Sequence, residues 1–194
     1  NILPGAAEVG AAMTNHPLID KVSFTGSNGV GEKVMAQAAK GEKDISLELG
    51  GKSAIVIRAD ADLDMACDII SGGIFTNAGQ MCSATSRLLV HQDIADALYQ
   101  KLKEYIRNIY VSDGFDPNTQ MGPLVSQQQL NQVNKYFNIA TEEKLDCVIG
   151  GEILDRSGYF ASPTLYTNVP TQSSLWTEEI FGPVLTVTRF RSLD

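Results

Sequence analysis

The sequence predicts an α/β fold, and the prediction rests on two kinds of segment and on the turns that separate them. Short apolar runs such as residues 53–57 and 184–190 are typical of strands in a largely parallel sheet. Residues 94–109 instead repeat apolar side chains at the spacing of an amphipathic helix. Segments rich in Gly, Pro, Asn and Asp lie between these runs. Because strand-like and helix-like segments alternate, helices packed on a sheet are expected.

Three helices and three strands are predicted in the first 75 residues. The helices are expected at residues 6–15, 30–40 and 65–75, and the strands at residues 21–25, 45–49 and 53–57. Asp60, Asp62 and Asp64 precede the third helix and are interpreted as capping residues. A calcium loop would also need a glycine and a later glutamate at fixed spacing, so no metal site is predicted there.

The remaining residues are predicted to contain two helices and four extended runs. The helices are expected at residues 94–109 and 128–141, and the extended runs at residues 87–91, 145–149, 160–165 and 184–190. Cys147 lies within the second of these runs and is expected to be buried.

Charge and cysteine content exclude several classes of function. The formal net charge is −8 over 194 residues, and no cluster of Lys or Arg offsets it, which argues against nucleic-acid and anionic-membrane partners. No apolar run reaches the roughly 20 residues that span a bilayer. The three cysteines form no CxxC pair, which argues against a zinc site or a disulfide framework and favours the cytoplasm.

Cys82 is the candidate nucleophile. It follows the small polar stretch 77–80 and precedes the short side chains of residues 83–86, so a small molecule could reach its thiol. From the residues alone, the alternative that Cys82 only fills space in the core stays open, because free cysteine is often buried.

Glu48 is the candidate general base. It is the one acid in an apolar run that ends at Gly50 and Gly51, and burying an unpaired carboxylate is costly. Such surroundings raise a carboxyl pKa towards the range where the group exchanges protons near neutral pH. The alternative is an ordinary turn at the end of a strand.

Two further segments are candidates from pattern alone. Residues 21–40 run strand, glycine-containing turn, helix, and such a helix start can bind a phosphate, although the G-x-G-x-x-G fingerprint is missing. Residues 174–183 place two acids beside a tryptophan and a Gly-Pro pair, which by themselves favour an exposed corner.

Four motifs resemble those of the aldehyde dehydrogenase superfamily, in the order and at the spacing of that family. They are FTGS at 24–27, LELGGK at 47–52, GQMCSATSR at 79–87 and EEIFGPV at 178–184. The resemblance covers the whole chain, and residues 82–90 and 176–179 look most like betaine and amino-aldehyde dehydrogenases.

The resemblance implies roles for seven residues. Cys82 would attack the aldehyde and Glu48 would activate the water that releases the acid. The cofactor, NAD or NADP, would be held by the remaining five: Gly26 and Ser27 at the pyrophosphate, Leu49 with its backbone facing the nicotinamide, Glu179 at the adjacent ribose and Phe181 beside the nicotinamide ring.

The resemblance also implies a domain division. Residues 1–48 would be the end of a Rossmann-like NAD(P)-binding domain, and residues 49–194 would be a partial three-layer α/β catalytic domain. Family members are about two and a half times as long as this chain, so the chain is expected to be a central fragment that is inactive or impaired alone. A homo-oligomer is expected, as in the family.

Two alternatives to aldehyde oxidation with hydrolysis remain at this point. The thioester could pass to coenzyme A, although Glu48 favours water as the acceptor. The chain could instead be a non-catalytic α/β module that pairs with a copy of itself or a partner through sheet edges. The substrate is also open, because Thr76 stands where betaine-type relatives often carry an aromatic residue, and a less cation-selective pocket is expected.

Overall fold

Two compact units make up the chain. The structure is a computed structural model that describes residues 1–192. Its first unit is Asn1–Gly51 and its second unit begins at Lys52. Residues 193 and 194, which the second predicted domain includes, lie outside the described residues.

The first unit is a short βαβ arrangement preceded by a helix. Its elements are α1 (Ala7–Asn15), β1 (Lys21–Thr25), α2 (Asn28–Ala39) and β2 (Asp44–Glu48). β1 and β2 are parallel, with Thr25 opposite Glu48. In both strands exposed and partly buried residues alternate, as expected for a sheet with one covered face.

Residues 49–51 pack with the first unit rather than with the second. The Gly50 N–H donates a hydrogen bond of 3.1 Å to Asn28 Oδ1. The Leu49 side chain lies over Gly31, where an added Cβ would be 2.5 Å from Leu49 Cδ2. These contacts place the boundary between units after Gly51, whereas the sequence-based boundary follows Glu48.

The second unit contains a five-stranded sheet and four helices among its described residues. The strands are β3 (Ala54–Ile57), β4 (Arg87–His91), β5 (Asp146–Ile149), β6 (Thr164–Thr167) and β7 (Val184–Phe190). The helices are α3 (Leu63–Phe75), α4 (Gln92–Arg107), α5 (Gln127–Glu142) and the single turn α6 (Ser174–Thr177). The α/β class predicted from the sequence is confirmed.

The sheet order is β3-β4-β7-β6-β5, so the last strand in the sequence lies in the middle. All neighbouring strands are parallel except β5, which is antiparallel to β6. The core between sheet and helices is made of aliphatic side chains that are almost fully buried. They include Ile70, Ile74, Leu88, Leu98, Leu102, Ile106, Leu165 and Leu185.

The helix caps follow the sequence. Asp62 caps α3, and its carboxylate accepts hydrogen bonds from the N–H groups of Asp64 and Met65. Ser126 caps α5 and accepts from the Gln129 N–H at 3.2 Å. Such caps satisfy N–H groups that have no partner inside the helix.

Two sequence-based expectations about the second unit are wrong. Cys147 is exposed, not buried, because β5 is the edge strand and its first half faces solvent. The run predicted at 160–165 forms a strand only from Thr164. Phe160 and Ala161 are buried, but Ala161 pairs with Ile153 in an isolated bridge instead of joining the sheet.

Candidate functional site

Cys82 lies in an exposed turn after the end of α3. The Ala84 N–H donates to the Met81 carbonyl oxygen at 3.0 Å, so Cys82 and Ser83 are the central residues of the turn. The thiol is exposed, as the sequence predicted. Within residues 1–192 no hydrogen bond uses the Cys82 N–H, so this donor is available to a ligand at the thiol.

A left-handed turn brings the chain from α3 to Cys82. Asn77 and Ala78 both have φ of 53°, and Gly79 has φ of 73°. Asn tolerates this region, but for Ala it is a strained conformation. Gly79 is required for a second reason, because an added Cβ would lie 2.1 Å from the Gly182 carbonyl oxygen. The left-handed turn that precedes Cys82 therefore packs directly against the loop that contains Phe181.

The Phe181 loop is held from α5. Phe181 itself has a positive φ of 56° and is 37% exposed. The Gln129 side-chain amide donates to the carbonyl oxygens of Ile180 at 3.1 Å and Phe181 at 2.9 Å. Gly182 faces Val133, where an added Cβ would be 2.5 Å from Val133 Cγ2. Sequence reasoning missed Gln129, because a glutamine in the first turns of an amphipathic helix is ordinarily solvated.

The two acids before this loop differ in their surroundings. The Tyr136 hydroxyl donates to Glu178 Oε2 at 2.8 Å, and this bond together with burial raises the pKa of Tyr136. Glu178 is exposed, whereas Glu179 is partly buried. Trp176 is only 7% exposed, so the segment is anchored in the core and is not the solvated corner that its pattern favours.

Lys52 is a buried cation close to these acids. Its ammonium nitrogen is inaccessible to solvent and has no hydrogen-bond partner among the described residues. Burial lowers the pKa of Lys52 to about 8, and repulsion from Arg87 adds to the effect, while Glu179 and Glu178 oppose it. The Arg87 guanidinium lies 5.5 Å from the centre of the Trp176 ring and donates to the Lys52 carbonyl oxygen.

Glu48 does not have the buried environment predicted from the sequence. It ends β2 with its side chain exposed, because the two-stranded sheet of the first unit covers only alternate residues. Its backbone carbonyl accepts a hydrogen bond of 3.0 Å from the Gly26 N–H. The expectation of a carboxylate poised by burial is therefore wrong, although the side chain is accessible to water.

A cavity of about 700 Å³ lies in the first unit between α1, β1 and α2. Gly26 and Ser27 form part of its wall, and apolar atoms make up most of the lining. Ser27 precedes α2, whose first turn contains no acidic residue, so the positive end of the helix is not neutralised. The lining therefore suits an apolar group, and the adjacent start of α2 suits an anion.

The predicted site residues are thus divided between the units. Cys82, Glu179 and Phe181 belong to the second unit, where the left-handed turn before Cys82 contacts the Phe181 loop at Gly79 and Gly182. Gly26, Ser27, Glu48 and Leu49 belong to the first unit: Asn1–Gly51.

In the described part of the chain, no three His, Cys, Asp or Glu side chains form a group that could hold a metal ion. None of the described helices combines the length and the apolarity needed to cross a bilayer.

The sequence model of the aldehyde dehydrogenase family matches residues 1–194. The chloroplastic betaine aldehyde dehydrogenase of Amaranthus hypochondriacus is 44% identical over 197 residues, covering 100% of this chain and 39% of the relative. The peroxisomal aminoaldehyde dehydrogenase 1 of Pisum sativum is 44% identical over 193 residues, covering 98% of this chain and 38% of the relative. The chain therefore spans about 39% of the length of the curated relatives that it matches.

Solved structures of aldehyde dehydrogenases are also similar to this chain. The betaine aldehyde dehydrogenase of Staphylococcus aureus, in complex with NAD+, is 40% identical and superposes with a TM-score of 0.93 over 97% of this chain and 38% of the other. A Glu-to-Ser mutant of an aldehyde dehydrogenase from Bacillus cereus is 42% identical, with a TM-score of 0.93 over 95% of this chain and 38% of the other.

The buried ammonium of Lys52 predicts a measurable pH dependence of stability. Its pKa falls from 10.5 in the unfolded chain to about 8 in the folded chain, so the unfolded state binds more protons between these values. The unfolding free energy therefore rises as pH increases across this window. We expect Lys52→Met to raise stability by on the order of 3 kcal/mol at pH 7 and to lose this advantage towards pH 10.5.

Urea unfolding followed by the fluorescence of Trp176, the single tryptophan, measures this difference. Lys103→Met, on the partly exposed side of α4, is the matched control and should differ little from the wild type at every pH. A Lys52→Met advantage that is constant from pH 7 to 10.5 would contradict the expectation.

The three cysteines should differ in reactivity. Burial raises the pKa of Cys67 to about 11, and partial burial of its sulfur beside Gly151 raises the pKa of Cys147. Because the thiolate is the reactive form, iodoacetamide at pH 7 should modify Cys82 at least roughly tenfold faster than either of the others. Peptide mass spectrometry over time measures the three rates, and urea-unfolded protein provides the reference. Equal rates for Cys82 and Cys147 in the folded protein would refute this expectation.

Proposed function

The chain belongs to the aldehyde dehydrogenase family, and from this premise we propose that it takes part in the NAD(P)-dependent oxidation of an aldehyde to a carboxylic acid. The observation that carries the proposal is the Cys82 turn. An exposed thiol and an N–H on the same residue that no described group bonds occur together there, and the turn before them packs against the Phe181 loop. A nucleophile and a donor for the developing oxyanion are what a covalent attack on a carbonyl group requires.

Cys82 is proposed to act as the nucleophile. Its thiolate would add to the aldehyde carbon, and the carbonyl oxygen would become an alkoxide. The unbonded Cys82 N–H is a donor for that developing charge, which supports its role in an oxyanion hole. Loss of a hydride from the same carbon would convert the adduct into a thioester on Cys82.

NAD or NADP, when bound, would accept this hydride. The NAD+ complex of the Staphylococcus aureus relative supports NAD as the cofactor. In the first unit, the largely apolar cavity suits the adenosine half, with Gly26 and Ser27 at the pyrophosphate beside the start of α2. Glu179 is proposed to bind the ribose next to the nicotinamide, and Phe181 and the backbone of Leu49 to contact the ring.

Glu48 is proposed to act as the general base for hydrolysis. It would take a proton from the water that attacks the thioester, and the acid product would leave as the Cys82 thiolate is restored. Exposure of the Glu48 side chain supports access of water to this carboxylate. Hydrolysis is preferred to acyl transfer to coenzyme A because Glu48 is available for the former.

A cytoplasmic location and a homo-oligomeric state are proposed for the natural polypeptide as well. The names of the plant relatives indicate chloroplasts or peroxisomes for those proteins. The self-associating, non-catalytic module remains the alternative if no chemistry is found at Cys82.

Substitution of the two catalytic candidates should separate the two chemical steps. In the natural polypeptide that carries this sequence, Cys82→Ser should abolish NADH formation from NAD and an aldehyde. Glu48→Gln should still give one equivalent of NADH, and then slow turnover by about 10²–10⁴-fold, because the general base acts in hydrolysis. Absorbance at 340 nm measures NADH, and mass spectrometry detects the acyl group on Cys82.

Cys67→Ser is the control and should remain active, because Cys67 is buried in α3. A Cys82→Ser variant that still forms NADH would refute the role of this thiol. Release of the acyl group only after addition of coenzyme A would favour the acyl-transferring alternative.

The residue at position 76 should influence the choice of substrate. Thr76 is exposed at the end of α3, and its hydroxyl donates to the Gly72 carbonyl oxygen at 2.7 Å. Without an aromatic side chain at this position, we expect no preference for betaine aldehyde over its uncharged isostere 3,3-dimethylbutanal. Thr76→Trp should shift the ratio of kcat/KM values towards betaine aldehyde by about 2- to 30-fold through a cation–π contact.

Thr76→Leu is the matched control and should leave the ratio unchanged, because leucine adds bulk without a π face. Strong preference of the wild type for betaine aldehyde would contradict the expectation of a less cation-selective pocket.

A further inference from the structure

Gln80 has both ends of its side-chain amide engaged, although the mechanism above gives it no role. Its Nε2–H group donates to the Asn77 carbonyl oxygen at 3.0 Å. Its Oε1 atom accepts from the Val125 N–H at 2.9 Å. The side chain therefore ties the turn before Cys82 to a segment 45 residues away in the sequence.

The near end of this link closes the left-handed turn. The Gln80 N–H also donates to the Asn77 carbonyl oxygen, at 3.1 Å, and the Asn77 side-chain amide donates back to the Gln80 carbonyl oxygen at 3.0 Å. Three hydrogen bonds thus join the same two residues around Ala78 and Gly79. A conformation that is sparsely populated for Ala persists only when its surroundings impose it.

The far end of the link reaches the helix that supports the Phe181 loop. Val125 directly precedes Ser126, which caps α5. Gln129, in the first turn of the same helix, donates to the Ile180 and Phe181 carbonyl oxygens. The turn before Cys82 and the loop with Phe181 are therefore fixed to one helix start by two glutamine side chains.

We propose that Gln80 is a positioning residue that fixes the Cys82 thiol and N–H relative to the Phe181 loop by clamping the turn at 77–79 to Val125. Its catalytic consequence rests on the proposed function, since the thiol and this loop are assigned there to substrate and cofactor. The clamp itself rests only on the hydrogen bonds above.

Gln80→Met tests the clamp, because methionine has a similar length and can form neither hydrogen bond. We expect backbone amides of residues 77–84 to exchange with deuterium at least tenfold faster than in the wild type. Exchange in α4 should not change. In the aldehyde assay, kcat should fall at least tenfold while KM for NAD stays within about twofold. Hydrogen-exchange mass spectrometry and steady-state kinetics measure the two effects.

Gln127→Met is the matched control. Gln127 is exposed at the start of α5, and within residues 1–192 its side chain bonds only Asn131 on the same helix. Its exchange and kinetics should match the wild type. If Gln80→Met does not fold, Gln80→Glu replaces it, because glutamate keeps the acceptor for the Val125 N–H and loses the donor to Asn77. Faster exchange should then be confined to residues 77–80.

Each outcome bears on one of the two proposals. Unchanged exchange at residues 77–84 overturns the clamp, and faster exchange with unchanged kcat overturns its positioning role. A wild type that forms no NADH from aldehydes overturns the proposed function instead. In that case the clamp is tested by two rates, measured in Gln80→Met and in Gln127→Met: deuterium exchange at residues 77–84 and alkylation of Cys82. Equal rates in the two variants overturn the clamp.

Discussion

The contact between two glycines is the constraint on which the candidate site in the second unit depends. Gly79 lies so close to Gly182 that even a methyl group would be 2.1 Å from its carbonyl oxygen. Gly182 in turn lies against Val133 of α5, with no room for a side chain of its own. Because neither glycine has a Cβ, the turn before Cys82 can pack closely against the Phe181 loop, and that loop can pack closely against α5. The strain at Ala78 and Phe181 is maintained by this packing and by the hydrogen bonds of the two glutamines.

Electrostatics at the same end of the sheet follow from strand order. β3, β4 and β7 are parallel neighbours, so the residues at and before their starts gather at one edge of the sheet. This brings the cations Lys52 and Arg87 near the acids Glu178 and Glu179. Two cations face two acids, yet burial is the largest influence on the pKa of Lys52. Keeping this ammonium group charged therefore costs stability. Such a cost is common where side chains are arranged for binding rather than for packing.

Sequence patterns predicted the elements well and burial less well. β1, β4 and β7 begin and end where the sequence predicts, because each is a short apolar or alternating run bounded by turn residues. Cys147 and Glu48 were misjudged because both lie in runs that look buried, and burial depends on whether a strand is central or at an edge. The exposure of the Cys82 thiol was predicted from its polar, small-residue setting and is confirmed. Gln80 and Gln129 act through partners 45 and 51 residues away, which no local pattern encodes.

The central position of β7 has a consequence for how the chain folds. In the described sheet β4 and β6 do not pair directly, and the β3–β4 pair is joined to the β5–β6 pair only through β7. Until residues 184–190 have left the ribosome, β3 with β4 and β5 with β6 can form only separate two-stranded ribbons, which are marginal in water. The two strand pairs therefore cannot be joined through β7 until that strand has been synthesised, and the nascent chain exposes unpaired strand edges until then.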